Sequence, residues 1–187
     1  GAISIGVSAK DMALKMCAVM GMDGGGYQAI QYTGQAVKSL DMMERMTLCN
    51  MAAELGAQTG IIEPDEVTTH YLVEAGVVPG EWQIFESDAN AEFLHVHEFN
   101  ADKLEPQIAA PNSPSNVSNV SDADNVEIDQ FYIGACTGAK LSDLRMVASV
   151  LKGNKVAPGK RLTVAPASAR VMADATREGI MQILLDA

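Results

Sequence analysis

Four times along this chain a short apolar run ends in a turn of small or polar residues, and a helical stripe follows. That alternation restricts the fold more than any other feature. Strands this short cannot stand alone, and helices between them act as crossovers, so the pattern predicts α/β architecture with parallel sheets. The runs are "YQAIQYTG", "TGII" and the segments 129–134 and 161–165. The helices that follow run through "MMERMTLCNMAAELGAQ", "PDEVTTHYLVEAG", 141–151 and 168–178. No internal sequence repeat accompanies the repeated pattern.

Local signals place the boundaries. Ser8 is suited to cap a first helix over "AKDMALKMCAVMGM", in which Met12, Met16, Val19 and Met20 fall at helical spacing. The "DGGG" at 23–26 ends it. Asp41 or Ser39 caps the long second helix, with Gly56 near its end, and Pro64 and Asp65 suit the start of the third. Residues 76–92 are expected to be irregular, and "EFLHVHEF", 92–99, alternates enough to predict a strand. The stretch "APNSPSNVSNVSDADN" is rich in Pro, Ser, Asn and Asp, so it reads as a linker. The expected organisation is therefore an α/β subdomain over 1–110, a linker over 111–127, and the start of a second α/β subdomain over 128–187.

Composition excludes some functions. A net charge of −11 argues against nucleic acid, whose phosphates require a basic stripe. No apolar run reaches the roughly 20 residues of a membrane span, and no basic segment followed by an apolar one marks a signal peptide. Three cysteines are an odd count, which disfavours a disulfide framework and favours a reducing compartment, the cytoplasm. The methionines at helical spacing in "DMMERMTLCNM" read as core filler.

Cys136 is the first candidate for chemistry. It lies in "FYIGACTGAK", at the carboxyl end of an expected strand and before an expected helix, the functional edge of open α/β sheets. Gly134, Ala135 and Gly138 let a bulky group approach the backbone. On its residues alone Cys136 fits a nucleophile, a metal ligand or an inert thiol. A nucleophile would need a base from His70, His95 or His97. His95 and His97 share one face of the expected strand, as thin metal ligands or as a solvated face. Cys17 and Cys49 lie among apolar helix neighbours and read as core, and no C-x-x-C pair occurs. Asn50 and Glu54, spaced i and i+4, fit one helix face, where spacing alone favours a capping or surface hydrogen bond.

Longer motifs then carry a resemblance. "RMTLCNMAAELGAQTGIIEPDE", 45–66, resembles the T-x-C-N-M-x-x-E-x-G-A segment of the aconitase superfamily, and its P-D-E ending resembles the isopropylmalate dehydratase large-subunit branch. "YIGACTGAKLSDLR", 132–145, resembles that family's cluster-ligand turn, and "LKGNKVAPGKRLTVAPASARV", 151–171, the strand and turn after it. "GVSAKDMAL" and "DGGGYQAIQYTG" fit in order, so the resemblance covers essentially the whole chain.

The resemblance implies an aconitase-like α/β/α fold in two subdomains. It implies an iron–sulfur hydro-lyase whose [4Fe-4S] cluster is held by three cysteines. Cys136 matches the first cluster cysteine, Asn50 the asparagine beside the cluster, and Glu54 the glutamate that contacts the hydroxyl or water. The implied reaction isomerises a hydroxy acid by dehydration and rehydration, 2- and 3-isopropylmalate in leucine biosynthesis, with homoaconitate, aconitate or methylmalate-type substrates as alternatives. The implied partner is the small, swivelling subunit. Departures accompany the match. The family's C-x-x-C would lie beyond Ala187, its N-terminal catalytic histidines and aspartates are missing, and Ala135 and Gly138 replace the commoner Ser/Thr and Asn. The chain thus reads as a central fragment, inactive alone and without its own cluster. A non-catalytic interaction domain derived from the family is the reading from another class.

Overall fold

The computed structural model describes residues 1–123 and 126–187. It forms two compact units, Gly1–Ala123 and Asp124–Ala187.

The first unit opens with α1 (Ala9–Met20). Ser8 starts it: its N–H and its hydroxyl both donate to Asp11 Oδ2, each at 2.7 Å. Ala9, Ala13, Leu14, Met16 and Cys17 turn inward along one stripe. Gly21, at φ 78°, ends the helix by donating to the Cys17 carbonyl. Strand β1 (Ala29–Gln31) then pairs in parallel with β2 (Thr59–Ile61). Between them lie the short α2 (Gln35–Lys38) and α3 (Met42–Asn50). Asp41 caps α3 by accepting from the Glu44 N–H at 2.8 Å. The expected long second helix does not run on as α-helix: past Asn50 it tightens into a 3₁₀ helix, Met51–Leu55. After β2, α4 (Glu66–Glu74) is capped by Asp65, which accepts from Val67 and Thr68.

An ion pair ties α3 to α4. Arg45, 2% exposed, donates from both terminal nitrogens to the two Asp65 oxygens at 2.7 Å. It also donates to the Leu40 and Lys38 carbonyls, so its buried guanidinium is well satisfied.

Two expectations fail in this unit. Residues 92–99 form no strand; Phe93, Leu94 and Val96 stand exposed. Alternation alone cannot make a strand, because its backbone groups need a ladder partner, and the described residues provide none there. The supposed linker 111–127 is mostly part of the first unit. Strand β3 (Gln107–Ala109) pairs antiparallel with β4 (Val117–Asn119), and Ala109 and Val117 pack on the core beside α1. Asp11 accepts from the Gln107 N–H at 2.7 Å, and Gln107 Nε2 donates to Asn119 Oδ1 at 2.8 Å. The Pro, Ser and Asn content makes the turn of this hairpin rather than a linker. Positions 124 and 125 of that stretch lie outside the described residues.

The second unit pairs β5 (Gln130–Ile133) in parallel with β6 (Arg161–Val164). The crossover is α5 (Leu141–Leu151), followed after β6 by α6 (Ala169–Arg177) and α7 (Ile180–Asp186). Its core is Ala139, Leu144, Ala148, Ala175 and Ile180. Arg145 on α5 forks onto the Glu178 carboxylate at the end of α6, with its Nε at 2.7 Å. Helices and parallel strand pairs in both units give the expected α/β class. Among the described residues no helix is long and apolar enough to cross a membrane.

Candidate functional site

The candidate residues fall in both units. In the second, β5 ends at Ile133 and the chain turns through Gly134 and Ala135 into Cys136. Ala135 holds φ 69°, a left-handed conformation that a side chain disfavours. The turn closes with the Gly138 N–H donating to the Ala135 carbonyl at 3.4 Å. Cys136 is exposed at this strand end. The helix behind it is anchored where the Lys140 N–H donates to Asp143 at 2.9 Å.

In the first unit, Asn50 and Glu54 bracket the change from α-helix to 3₁₀ helix. That change alters their relation. A 3₁₀ turn advances about 120° per residue, so the i, i+4 spacing does not keep them on one α-helical face. Asn50 is exposed at the end of α3, while Glu54 Oε2 is buried without a hydrogen-bond partner.

Close backbone approaches hold this turn. The Gly25 N–H donates to the Leu55 carbonyl at 2.7 Å, and the Tyr27 N–H to the Gly56 carbonyl at 2.8 Å. A Cβ on Gly25 would lie 2.8 Å from Ala57 Cβ. A Cβ on Gly60 would lie 2.8 Å from Cys49 Cα and 2.9 Å from Tyr32 Cε2. These glycines let β2 and the "DGGG" turn press directly on α3 and the turn after it.

The thiols differ by environment. Cys17 is fully buried, and burial, then the Glu54 carboxylate, pushes its thiol up. Burial also raises Cys49. Neither is biased toward the thiolate that binds iron. Three thiolates must converge to hold a cubane cluster, and among the described residues no three or more His, Cys, Asp or Glu side chains form such a group. Of the three thiols only Cys136 is exposed, so its sulfur is the one open to a metal. His95 and His97 lie with ring centroids 6.3 Å apart on an irregular segment, and among the described residues no third ligand joins them.

Two features escaped the sequence reading. Tyr32 sits 6% exposed beside the site, and its hydroxyl is also buried without a partner. Burial pushes its phenol far above the usual range, with Cys49, Cys17 and Glu54 adding to the effect. Nothing in "IQYTG" signals that role. The Arg45–Asp65 pair had a faint signal, an arginine between two methionine-bearing turns of the helix. A cleft of about 840 Å³ in the first unit is lined by Met16, Gln31, Tyr32, Glu63 and His95, but not by Asn50 or Glu54.

Comparison with known proteins adds the lineage. The model of the aconitase family (aconitate hydratase) matches residues 1–126 and 116–187. The large subunit of 3-isopropylmalate dehydratase from Hydrogenobaculum sp. (strain Y04AAS1) is 42% identical over 187 residues, all of this chain and 44% of that protein. Large subunit 1 from Archaeoglobus fulgidus is 43% identical over 97% of this chain and 43% of its own length. The Nautilia profundicola large subunit is 44% identical over 97% of this chain and 44% of its own. The chain spans less than half the length of these curated relatives.

Proposed function

This chain belongs to the aconitase family, and from that premise we propose that it is part of the large subunit of an iron–sulfur hydro-lyase that interconverts 2- and 3-isopropylmalate. The observation that carries the reading is the 42% identity over all 187 residues to a 3-isopropylmalate dehydratase large subunit. The whole enzyme would join this subunit to a small one and work in the reducing cytoplasm, as a step of leucine biosynthesis.

The role proposed for each residue comes from the family resemblance, and its surroundings support it. Cys136, exposed on a strained strand-end turn, is the thiolate this chain offers to a [4Fe-4S] cluster; two further thiolates come from the rest of the subunit. When bound, that cluster supplies Lewis-acid chemistry. Asn50, exposed at the end of α3, is the cofactor-binding side chain that the first unit would supply. Glu54 is half-buried with its Oε2 out of solvent, which supports a role for its other carboxylate oxygen as acceptor for the substrate hydroxyl and for the water released. A carboxylate held out of bulk water strengthens that hydrogen bond as charge gathers on the departing oxygen, so it acts chiefly on the transition state.

The test is turnover by the complete large subunit assembled with its small subunit. Isopropylmalate should be used at least about tenfold better in kcat/KM than homoaconitate, citrate or methylmalate, a gap of about 1.4 kcal/mol in transition-state binding. A folded, cluster-loaded enzyme that turns over none of these acids would leave the non-catalytic reading in its place.

A further inference from the structure

Tyr32 and Glu54 each bring a polar atom into the first unit with no partner for it: Tyr32 Oη and Glu54 Oε2 are both buried. A buried polar group left unpaired costs about 1–3 kcal/mol, and native interiors seldom keep two such groups in one place. Both lie against β2 in the first unit. The Tyr32 ring edge lies where β2 meets α3 at Gly60 and Cys49. The 3₁₀ helix carrying Glu54 packs against α1 and β2. The Glu54 carboxylate also acts electrostatically on both Tyr32 and Cys17. The two atoms do not bond each other directly, and a buried water needs two to four polar partners.

We propose that a buried water bridges Tyr32 Oη to Glu54 Oε2, and that Tyr32 is thereby the positioning residue for the Glu54 carboxylate. The phenol donates to the water, and the water donates to Oε2. One carboxylate oxygen is then fixed inward and sets the direction of the other. The positioning role rests on the reading of Glu54 given above; the bridge itself does not.

The experiment is a double-mutant cycle on the 187-residue chain, read by urea unfolding. Tyr32→Phe keeps the ring and removes the hydroxyl. With the bridge it raises the unfolding constant roughly three- to tenfold, the span of one net hydrogen bond. In a Glu54→Leu background the same change has no effect beyond about twofold, the usual limit of additivity. Without the bridge, replacing an orphaned hydroxyl by hydrogen is neutral or stabilising in both backgrounds, and that result overturns the proposal. An equal cost in both backgrounds overturns it too. Should Glu54→Leu not fold, a crystal structure of the unmutated chain decides: an ordered water within about 3.2 Å of both oxygens upholds the bridge, and its absence ends it. In the assembled enzyme, Tyr32→Phe should lower kcat about tenfold with KM within about twofold, the pattern of an interaction felt in the transition state. Unchanged kcat despite a coupled cycle overturns the positioning role. Because the cycle needs neither cluster nor substrate, its failure is separable from failure of the proposed activity.

Discussion

In the first unit the group of interest is a carboxylate, set in a 3₁₀ helix against α1 and β2, with one oxygen out of reach of solvent. In the second unit it is a sulfur, exposed on a turn whose alanine holds a left-handed backbone. The two placements suit two kinds of work. A ligand sulfur must be open to the ion and must ionise, and burial would hinder both, as it does for Cys17. A carboxylate that is to feel charge move must be shielded from bulk water, or its interactions are screened. The units also differ in how they are fastened. The first relies on a guanidinium that is 2% exposed, the second on a pair at the surface.

The strongest test of that contrast exchanges chemistry for cofactor retention. In the assembled enzyme, Cys136→Ser should remove the cluster, seen as loss of iron and of its visible absorbance, because a hydroxyl stays protonated where a thiolate binds. Glu54→Gln should keep the iron and lower kcat by about 10²–10⁴, the span of a positioned acid–base group. Iron lost with Glu54→Gln, or retained with Cys136→Ser, would break the division of labour.

A smaller effect is expected from the buried fastening. Asp65→Asn can still cap α4 but leaves Arg45 uncompensated. Fully buried pairs lose about 3–5 kcal/mol on such a change; with a third of the Asp65 side chain exposed, about 2 kcal/mol is expected. The Arg45 hydrogen bond, foremost, holds the Asp65 carboxyl below its usual range. Its contribution is therefore present above the unfolded carboxylate pKa, about 3.9, and fades as pH falls through the lower folded value. The gap between wild type and Asp65→Asn should close on acidification below about pH 4. A gap that persists there points to lost capping instead.

The smallest effect belongs to the second unit. Glu178→Gln removes a carboxylate that Arg145 holds below its usual range, but the pair lies in solvent. Its thermal midpoint should stay within the scatter of replicate scans. A clear drop would show that the surface fork fastens α5 to α6 as firmly as Arg45 fastens α3 to α4.

What the sequence disclosed about these two units was mostly local. Ser8, Asp41 and Asp65 start helices by bonds to residues two or three positions on, so their caps could be read from neighbours. Cys136 could be placed because a strand end and a helix start flank it directly. The failures are all non-local. A strand over 92–99 required a partner that pattern cannot supply. The hairpin of β3 and β4 owes its place to Asp11, 96 positions from Gln107. The tightening after Asn50 lies where Gly25 and Gly60 bring distant backbone close, and Tyr32 matters only because the fold buries it beside Gly60. The family motifs suggested roles for Asn50, Glu54 and Cys136, but not the burial that makes one oxygen of Glu54 different from the other.

Gly60 has a consequence of another kind. Its hydrogen atom is the whole spacing between β2 and the backbone of α3 at Cys49. The site therefore takes its tolerance from the smallest part available: nothing narrower can stand there, and anything wider displaces the helix. Even a methyl group must push something aside, since its nearest neighbours are backbone atoms that cannot swing away. A misplacement of about 1 Å can lower a rate by about 10²-fold. The separation of β2 from the helix that ends at Asn50 is thus set by a residue that carries no side chain at all.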